Sequence, residues 1–273
     1  MLPSYLLALR EGIEAALIIG VILGLLKKID KKELFSIVWT GTALAVLVSI
    51  LVGATLHLVG ASFEGAAEEA FEGITMLLAA VLLTWMIWWM FHQAKNFNEK
   101  LKQDVASAAQ SSKTALFTVA FLAVVREGVE LAIFLTAASF TTTARDTLIG
   151  AGFGFLTVAI LAWVLFSSLV KLNLASFFRV TGILLILFAA GLVAHGVHEL
   201  NEIGWIPPVI EHLWDVNSII NEKSFTGEIL KALFGYNGNP SLTEMIAYFG
   251  YLLLVGLSFR RQQLKTSQAV SEA

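Results

Sequence analysis

Residues 8–20 read ALREGIEAALIIG, and residues 123–135 read AVVREGVELAIFL. Both set the pentad Arg-Glu-Gly-x-Glu inside an apolar run. The first is Arg10-Glu11-Gly12-Ile13-Glu14 and the second Arg126-Glu127-Gly128-Val129-Glu130, at an offset of 116 residues. A lipid-facing helix rejects such residues, because a charged side chain at a span centre costs about 2.5–3.5 kcal/mol even on the mildest scale. Arg10 stands about 12 Å of helix past Leu2, and Arg126 about 18 Å past Thr114, so both are expected well below the membrane surface. Three spans separate equivalent positions of the two copies. An odd number reverses direction, so the halves are expected to lie in the membrane in opposite orientations, as in the inverted repeats of many secondary transporters.

Outward from the pentads, apolar runs alternate with short charged segments. The runs at Leu2–Leu26, Ser36–Leu58, Gly73–Phe91, Thr114–Ala138, Leu148–Val170, Val180–Val197 and Leu242–Phe259 predict seven spans. Most reach the ~17–25 residues that cross the hydrocarbon core. The fold class expected is all-α, a polytopic transmembrane helical bundle forming one domain over 1–273. Residues 1–92 form a first three-helix repeat, 114–199 a second and inverted one, and 242–259 an extra helix. The third spans agree weakly: FEGITMLLAA resembles VTGILLILFAA, with Thr181 at the Glu72 position. The chain is 57% hydrophobic and 14% charged, where a soluble domain carries about 25% charged residues. Seven such runs leave too little polar surface for a soluble fold. The first span does not read as a cleaved signal peptide, since its start is not basic and a Lys-rich stop follows it.

Orientation follows from the basic residues. One side collects thirteen: Lys27, Lys28, Lys31, Lys32, Lys95, Lys100, Lys102, Lys113, Lys171, Arg179, Arg260, Arg261 and Lys265. The other side holds Arg145, Lys223 and Lys231. The positive-inside rule places the first side in the cytoplasm, the N-terminus outside and the C-terminus inside. The outer side is acidic, with Glu64, Glu68, Glu69 and Glu72 before or at the start of span three. Glu199, Glu202, Glu211, Asp215, Glu222 and Glu228 follow in the last outer loop. With a net charge of -3 and no basic face, nucleic acid is excluded as a partner.

On a helix, residues three and four apart share a face. Glu11 and Glu14 therefore project together, as do Glu127 and Glu130, and Arg10–Glu14 and Arg126–Glu130 are spaced to pair. Gly12 and Gly128 would let a neighbouring helix approach closely. The ion pairs could simply hold spans one and four together. Four carboxylates against two guanidiniums nevertheless leave a negative surplus, which a dry core resolves by protonation or a bound cation. Carboxylate oxygens are hard donors, suited to Fe(III), Ca, Mg or Mn. The chain has no Cys, which removes thiolate sites, iron–sulfur clusters and disulfides. Met76, Met86 and Met90 read as packing residues, and Trp85, Trp88 and Trp89 as an aromatic belt.

Glu64, Glu68 and Glu72 fall on one helical stripe, with Glu69 able to turn toward Glu72. That pattern suits a cation-collecting mouth, or a solvated helix start favoured by the dipole. His195, His198 and Glu199 are weaker candidates, for an interfacial structural role or for cation capture. There is no HExxH motif and no GxxxxGK[ST], and the glycines of 150–155 lack the strand context of a dinucleotide loop. No cofactor is expected, and transport energy would come from a gradient, the membrane potential or a partner.

The paired REGxE motifs and the outer acidic stretch resemble the oxidase-dependent iron transporter family of iron permeases, along essentially the whole chain. The resemblance implies an iron permease of the bacterial inner membrane, not an enzyme, moving iron inward as Fe(III). Glu11, Glu14, Glu127 and Glu130 would be its transport carboxylates and Arg10 and Arg126 their motif partners, with the family's acidic motif on Glu68, Glu69 and Glu72. It also implies extracytoplasmic partners that oxidise or deliver iron, a ferroxidase in eukaryotic members and periplasmic proteins in bacterial ones. A homo-oligomer is left open. The rival readings are a divalent cation or proton-coupled carrier, a membrane-embedded hydrolase built on His195, His198 and Glu199, and a structural subunit.

Overall fold

The computed structural model describes residues 1–167, 174–221 and 224–271. Its elements are α1 (Leu2–Lys28), a short 3-10 turn (Lys32–Leu34), α2 (Phe35–Gly60), α3 (Ala66–Ser111), α4 (Lys113–Thr141), α5 (Ala144–Ser167), α6 (Leu174–Glu202), α7 (Phe225–Phe234) and α8 (Leu242–Ser271). The chain is all-α and polytopic. Among the described residues, five stretches are long and apolar enough to cross a membrane: Lys32–Gly60, Ala66–Met90, Ala144–Val164, Ser176–Glu202 and Leu242–Arg261. Helices α1 and α4, of 27 and 29 residues, match them in length and differ in carrying the charged pentads. Lys171, Glu222, Lys223 and the end of the span expected at Leu148–Val170 lie outside the described residues.

Helix α3 is 46 residues long, about 69 Å and far more than a bilayer needs. The expectation of an inner loop from Lys95 to Lys113 is therefore corrected. Hydropathy drops after Phe91, but no Gly or Pro interrupts 74–111, and residues of good helix propensity carry the helix on. Ser112, in extended conformation, ends the run and caps α4, its hydroxyl accepting from the Ala115 N–H at 3.0 Å.

The chain divides into two units. Unit 1 comprises 1–63 and 85–182, and unit 2 comprises 64–84 and 183–273. Within unit 1, α1 packs on α5 and α4, and α2 packs on α4. The pairings α1–α5 and α2–α4 are parallel and rest on glycine. A Cβ on Gly154 would sit 2.8 Å from the Tyr5 carbonyl oxygen, and one on Gly41 would sit 3.1 Å from that of Phe117. Further along, Gly12 meets Val158 and Gly128 meets Ser49, so each pair tracks in the same direction. The outer faces of α2 and α5 present Leu47, Ile50, Leu51, Ile160 and Trp163, as lipid contact requires.

In unit 2, Gly73 of α3 and Gly196 of α6 bring the two backbones together, with a Cβ on Gly73 only 2.9 Å from the Gly196 carbonyl. Thr84 and Tyr251 share a hydroxyl hydrogen bond of 2.7 Å. The segment before α8 folds back on itself: the N–H groups of Leu213 and Val216 donate to the carbonyls of Pro240 and Gly238. Helix α7 then ends on Gly235 in the left-handed region, φ 64°.

Candidate metal centre

Helices α1 and α4 lie against each other and bring the two pentads together. Their glycines set the depth of packing on outer neighbours. A Cβ on Gly12 would lie 2.7 Å from Val158 Cγ2 of α5, and one on Gly128 would overlap the Ser49 hydroxyl of α2. The close-approach role expected of both glycines is borne out.

Arg10 is completely buried. Its Nη1 donates to Glu11 Oε1 at 2.9 Å, and its Nη2 stands 3.1 Å from Glu14 Oε1. The same guanidinium donates to the Met86 and Met90 sulfurs, weak acceptors on flexible, polarizable side chains. Glu11 is 1% exposed, and its second oxygen, Oε2, has no hydrogen-bond partner. One carboxylate oxygen from each of Glu11, Glu14 and Glu127 lies within 4.8 Å of the others. At that separation two carboxylates repel by about 3.5 kcal/mol at an effective dielectric constant of ~20. Three that converge rather than splay form a pocket for positive charge.

Glu130 stands outside this trio. Its Oε1 accepts from Arg126 Nε at 2.9 Å, and Arg126 is also 3.9 Å from Glu127. The spacing of the pairs Arg10–Glu14 and Arg126–Glu130 is legible in the sequence, but their unequal burial is not. Arg126 is 45% exposed where Arg10 is sealed, and its guanidinium lies 5.1 Å from the Trp89 ring centroid, within cation–π range.

A cavity of about 530 Å³ opens beside the trio; most of its wall is apolar, with Val46, Ile50, Leu131, Leu135 and Phe155, and Glu11 and Glu127 are among its lining. All of its lining belongs to unit 1.

The acidic residues of 64–72 do not form a comparable group. Glu64 is not on α3 at all: Gly65 adopts φ 57° and the helix starts at Ala66, which corrects the single stripe through Glu64, Glu68 and Glu72. Glu68 and Glu69 occupy the first turn, where the dipole favours acids. Glu72 is half-buried, and the Gly73–Gly196 approach sets Glu199 beside it. Among the described residues, only Glu11, Glu14 and Glu127 bring three ligand atoms together.

The histidines have structural partners. His195 Nδ1 is 3.0 Å from the Gly191 carbonyl, within its own helix. His198 Nδ1 is 3.1 Å from Glu244 Oε1, and Glu244 belongs to a capping box at the start of α8. Its N–H donates to Ser241 Oγ at 3.2 Å, while the Ser241 N–H donates to Oε1 at 3.0 Å. Asn237 adds a bond to Oε2 at 2.8 Å.

Against known families, residues 1–261 match the iron permease FTR1 family. The chain belongs to that family. It is 33% identical over 262 residues to the ferrous iron permease EfeU of Escherichia coli strain UTI89 and to that of Shigella sonnei, covering 95% of each chain. The EfeU of Yersinia pestis is 31% identical over 256 residues, with 93% of this chain and 91% of that one covered. No solved structure matches it. As an iron permease the chain is a transporter rather than an enzyme, embedded in the membrane, and iron is its cargo.

Three residues of this permease's centre do more than their sequence suggests. Met86 is buried, as its packing role requires, and its sulfur and that of Met90 also accept from Arg10, while Trp89, expected in an aromatic belt, lies against Arg126. The spacing of 86, 89 and 90 marks one helical face, the only signal the sequence offers for them.

Proposed function

We propose that this chain carries iron inward across a bacterial inner membrane, with the ion held in transit by Glu11, Glu14 and Glu127. The observation that carries the reading is the convergence of their three oxygens within 4.8 Å around a site that keeps a buried, unpartnered carboxylate oxygen. Glu130 joins when Arg126 releases it. Arg10 orients Glu11 and Glu14 and offsets part of their charge while the site is empty. The cation takes over that role on binding, so occupancy is coupled to rearrangement of the two halves.

Seven spans, the two inverted repeats, and an outside N-terminus with a cytoplasmic C-terminus belong to the same reading. The crossed pairing supports the repeat: α1 sits on α5 and α4 on α2, and the 116-residue offset exchanges one pair for the other. The membrane potential, about 2.3 kcal/mol per charge per 100 mV, favours inward movement of a multivalent cation. Glu68, Glu69 and Glu72 serve as the collecting mouth, and separate extracytoplasmic proteins oxidise or deliver the iron.

Three hard oxygens favour Fe(III). A second reading, Fe(II), has its own support. Four carboxylates and two guanidiniums leave two negative charges, and the curated relatives carry the name ferrous iron permease. Uptake into proteoliposomes under a fixed potential separates the two, with chelated Fe(III) and reductant-maintained Fe(II) supplied in parallel. Uptake confined to Fe(II) overturns the ferric reading, and no uptake of either overturns both.

A further inference from the structure

The cavity beside the carboxylates is a groove with two lipid-facing banks. Helix α2 packs on α4 and α5 packs on α1, and the groove runs between these pairs. Val46 and Ile50 of α2 and Leu148 and Phe155 of α5 line it and are exposed, so it opens toward the lipid that Leu47 and Leu51 also meet. Its floor is the buried Leu131 and Ala132 of α4, with Glu11 and Glu127 at the deep end. The few hydroxyls in the lining are already satisfied. Ser49 donates to the Ala45 carbonyl at 2.8 Å, Thr136 to that of Ala132 at 2.8 Å and Ser139 to that of Thr136 at 2.6 Å. Thr147 shares a hydroxyl bond of 3.1 Å with Thr142. An apolar occupant therefore strands no donor.

The length of the groove selects that occupant. On α4 it passes from Glu127 to Ser139 and on α2 from Val46 to His57, about 16–18 Å of helix in each case. Half of a ~30 Å hydrocarbon core is about 15 Å, the depth that one tail of a membrane lipid fills. The shallow end lies where α2 closes at Gly60, α4 closes at Thr141 and α5 begins at Ala144. There His57 is exposed, and a lipid headgroup can leave the groove at the membrane surface. Left empty, a groove of about 530 Å³ would deprive its apolar walls of dispersion contacts.

We infer that this groove binds one acyl tail of a membrane phospholipid, which lies along Leu135 and Leu131 with its end toward Glu11 and Glu127. The leaflet is the outer one in the orientation proposed above, and only that naming rests on it. The bound tail keeps water off the side of Glu11 and Glu127 that faces the groove.

None of residues 127–141 of α4 is exposed, so loosely surrounding lipid does not reach them and labelling there reports the groove. The full chain is reconstituted in vesicles of phosphatidylethanolamine and phosphatidylglycerol carrying a phosphatidylcholine with a diazirine near the end of one tail. Irradiation, before or after extraction into a mild detergent, is followed by peptide mapping. Label is expected on 131–139 in the membrane and is expected to persist there after extraction. Label on Leu47 and Leu51 should fall about tenfold as detergent replaces loose lipid. Gly53→Leu fills the groove from α2, since a Cβ there meets Ala132 Cβ at 3.5 Å, an ordinary contact. It should cut labelling of 131–139 about tenfold and leave Leu47 and Leu51 unchanged. Absence of label from 131–139 in the membrane overturns the inference, whether packed side chains or a second copy of the chain covers the groove. Loss on extraction in step with Leu47 and Leu51 overturns it too, as does wild-type labelling of Gly53→Leu. If Gly53→Leu is not recovered folded, the wild-type comparison across extraction decides alone. These readouts use no iron, so they stand or fall separately from the transport site.

Discussion

Replacing Arg10 with Met should damage the protein far more than replacing Arg126 with Met, although the two hold equivalent places in the repeated pentad. Arg10 is sealed from solvent, 2.9 Å from Glu11 and 3.1 Å from Glu14. Its loss strands carboxylates whose oxygens lie within 4.8 Å of one another. Breaking a buried ion pair from one side costs about 3–5 kcal/mol. Met fills much of the same volume beside two thioethers, so little of that cost is cavity. Arg126 is 45% exposed, where an ion pair contributes about 0–1 kcal/mol, and its contact with Trp89 adds about 0.5–1 kcal/mol. For a chain of this size 1 kcal/mol moves Tm by about 2–4 °C. Arg10→Met should therefore unfold about 6–20 °C below wild type, and Arg126→Met about 1–8 °C below. A thermal ramp in detergent, read by fluorescence-detected size-exclusion chromatography, measures both. Added metal should narrow the deficit of Arg10→Met, because a cation can take the place of the guanidinium. Equal shifts for the two variants, or a larger one for Arg126→Met, would refute the unequal burial on which this reasoning stands.

Gly12→Ala forces a methyl against the stiff, β-branched Val158, 2.7 Å from where the Cβ would stand. It should cost about 1–3 kcal/mol, and Val158→Ala in the same chain should restore most of the folded yield; no rescue would mean that the α1–α5 contact is not where the strain falls. Lys31→Met removes the bond to the Ala109 carbonyl, worth about 1.5 kcal/mol for a charged donor. Tryptic cleavage at Lys102 should then speed up about tenfold if the C-terminal end of α3 opens at equilibrium. Glu244→Ala strips the capping box and the partner of His198. Stability should fall by about 1–3 kcal/mol while uptake per folded molecule is unchanged; a selective loss of uptake would instead assign His198 and Glu244 to transport.

The membrane character and the centre were legible because charge inside an apolar run has few explanations. Arg10, Glu11, Glu14 and Glu127 announced themselves by being costly where they stand. What stayed hidden depends on contacts distant in sequence. Nothing in the pentads tells that Arg10 is sealed under Met86 and Met90 while Arg126 lies open beside Trp89, since both carry the same local pattern. The length of α3 was missed for a different reason. Hydropathy reports where lipid contact ends, and helix propensity, with no Gly or Pro over 74–111, reports where the helix ends. At Glu64 the reverse held: the three-and-four spacing suggested one stripe, and the left-handed Gly65 broke it. The capping box Ser241-x-x-Glu244 was readable in principle, as a Ser three residues ahead of a Glu at the head of an apolar run.

The central claim is that iron crosses by way of the carboxylates of the two pentads. It is tested most directly by iron uptake into proteoliposomes containing wild-type protein or Glu14→Gln, at equal amounts of folded protein and the same imposed potential. Glu14→Gln keeps the shape of the side chain and removes one of the three converging charges. The account predicts potential-driven uptake by the wild type and uptake at the level of empty vesicles for Glu14→Gln. Wild-type rates from Glu14→Gln would contradict it.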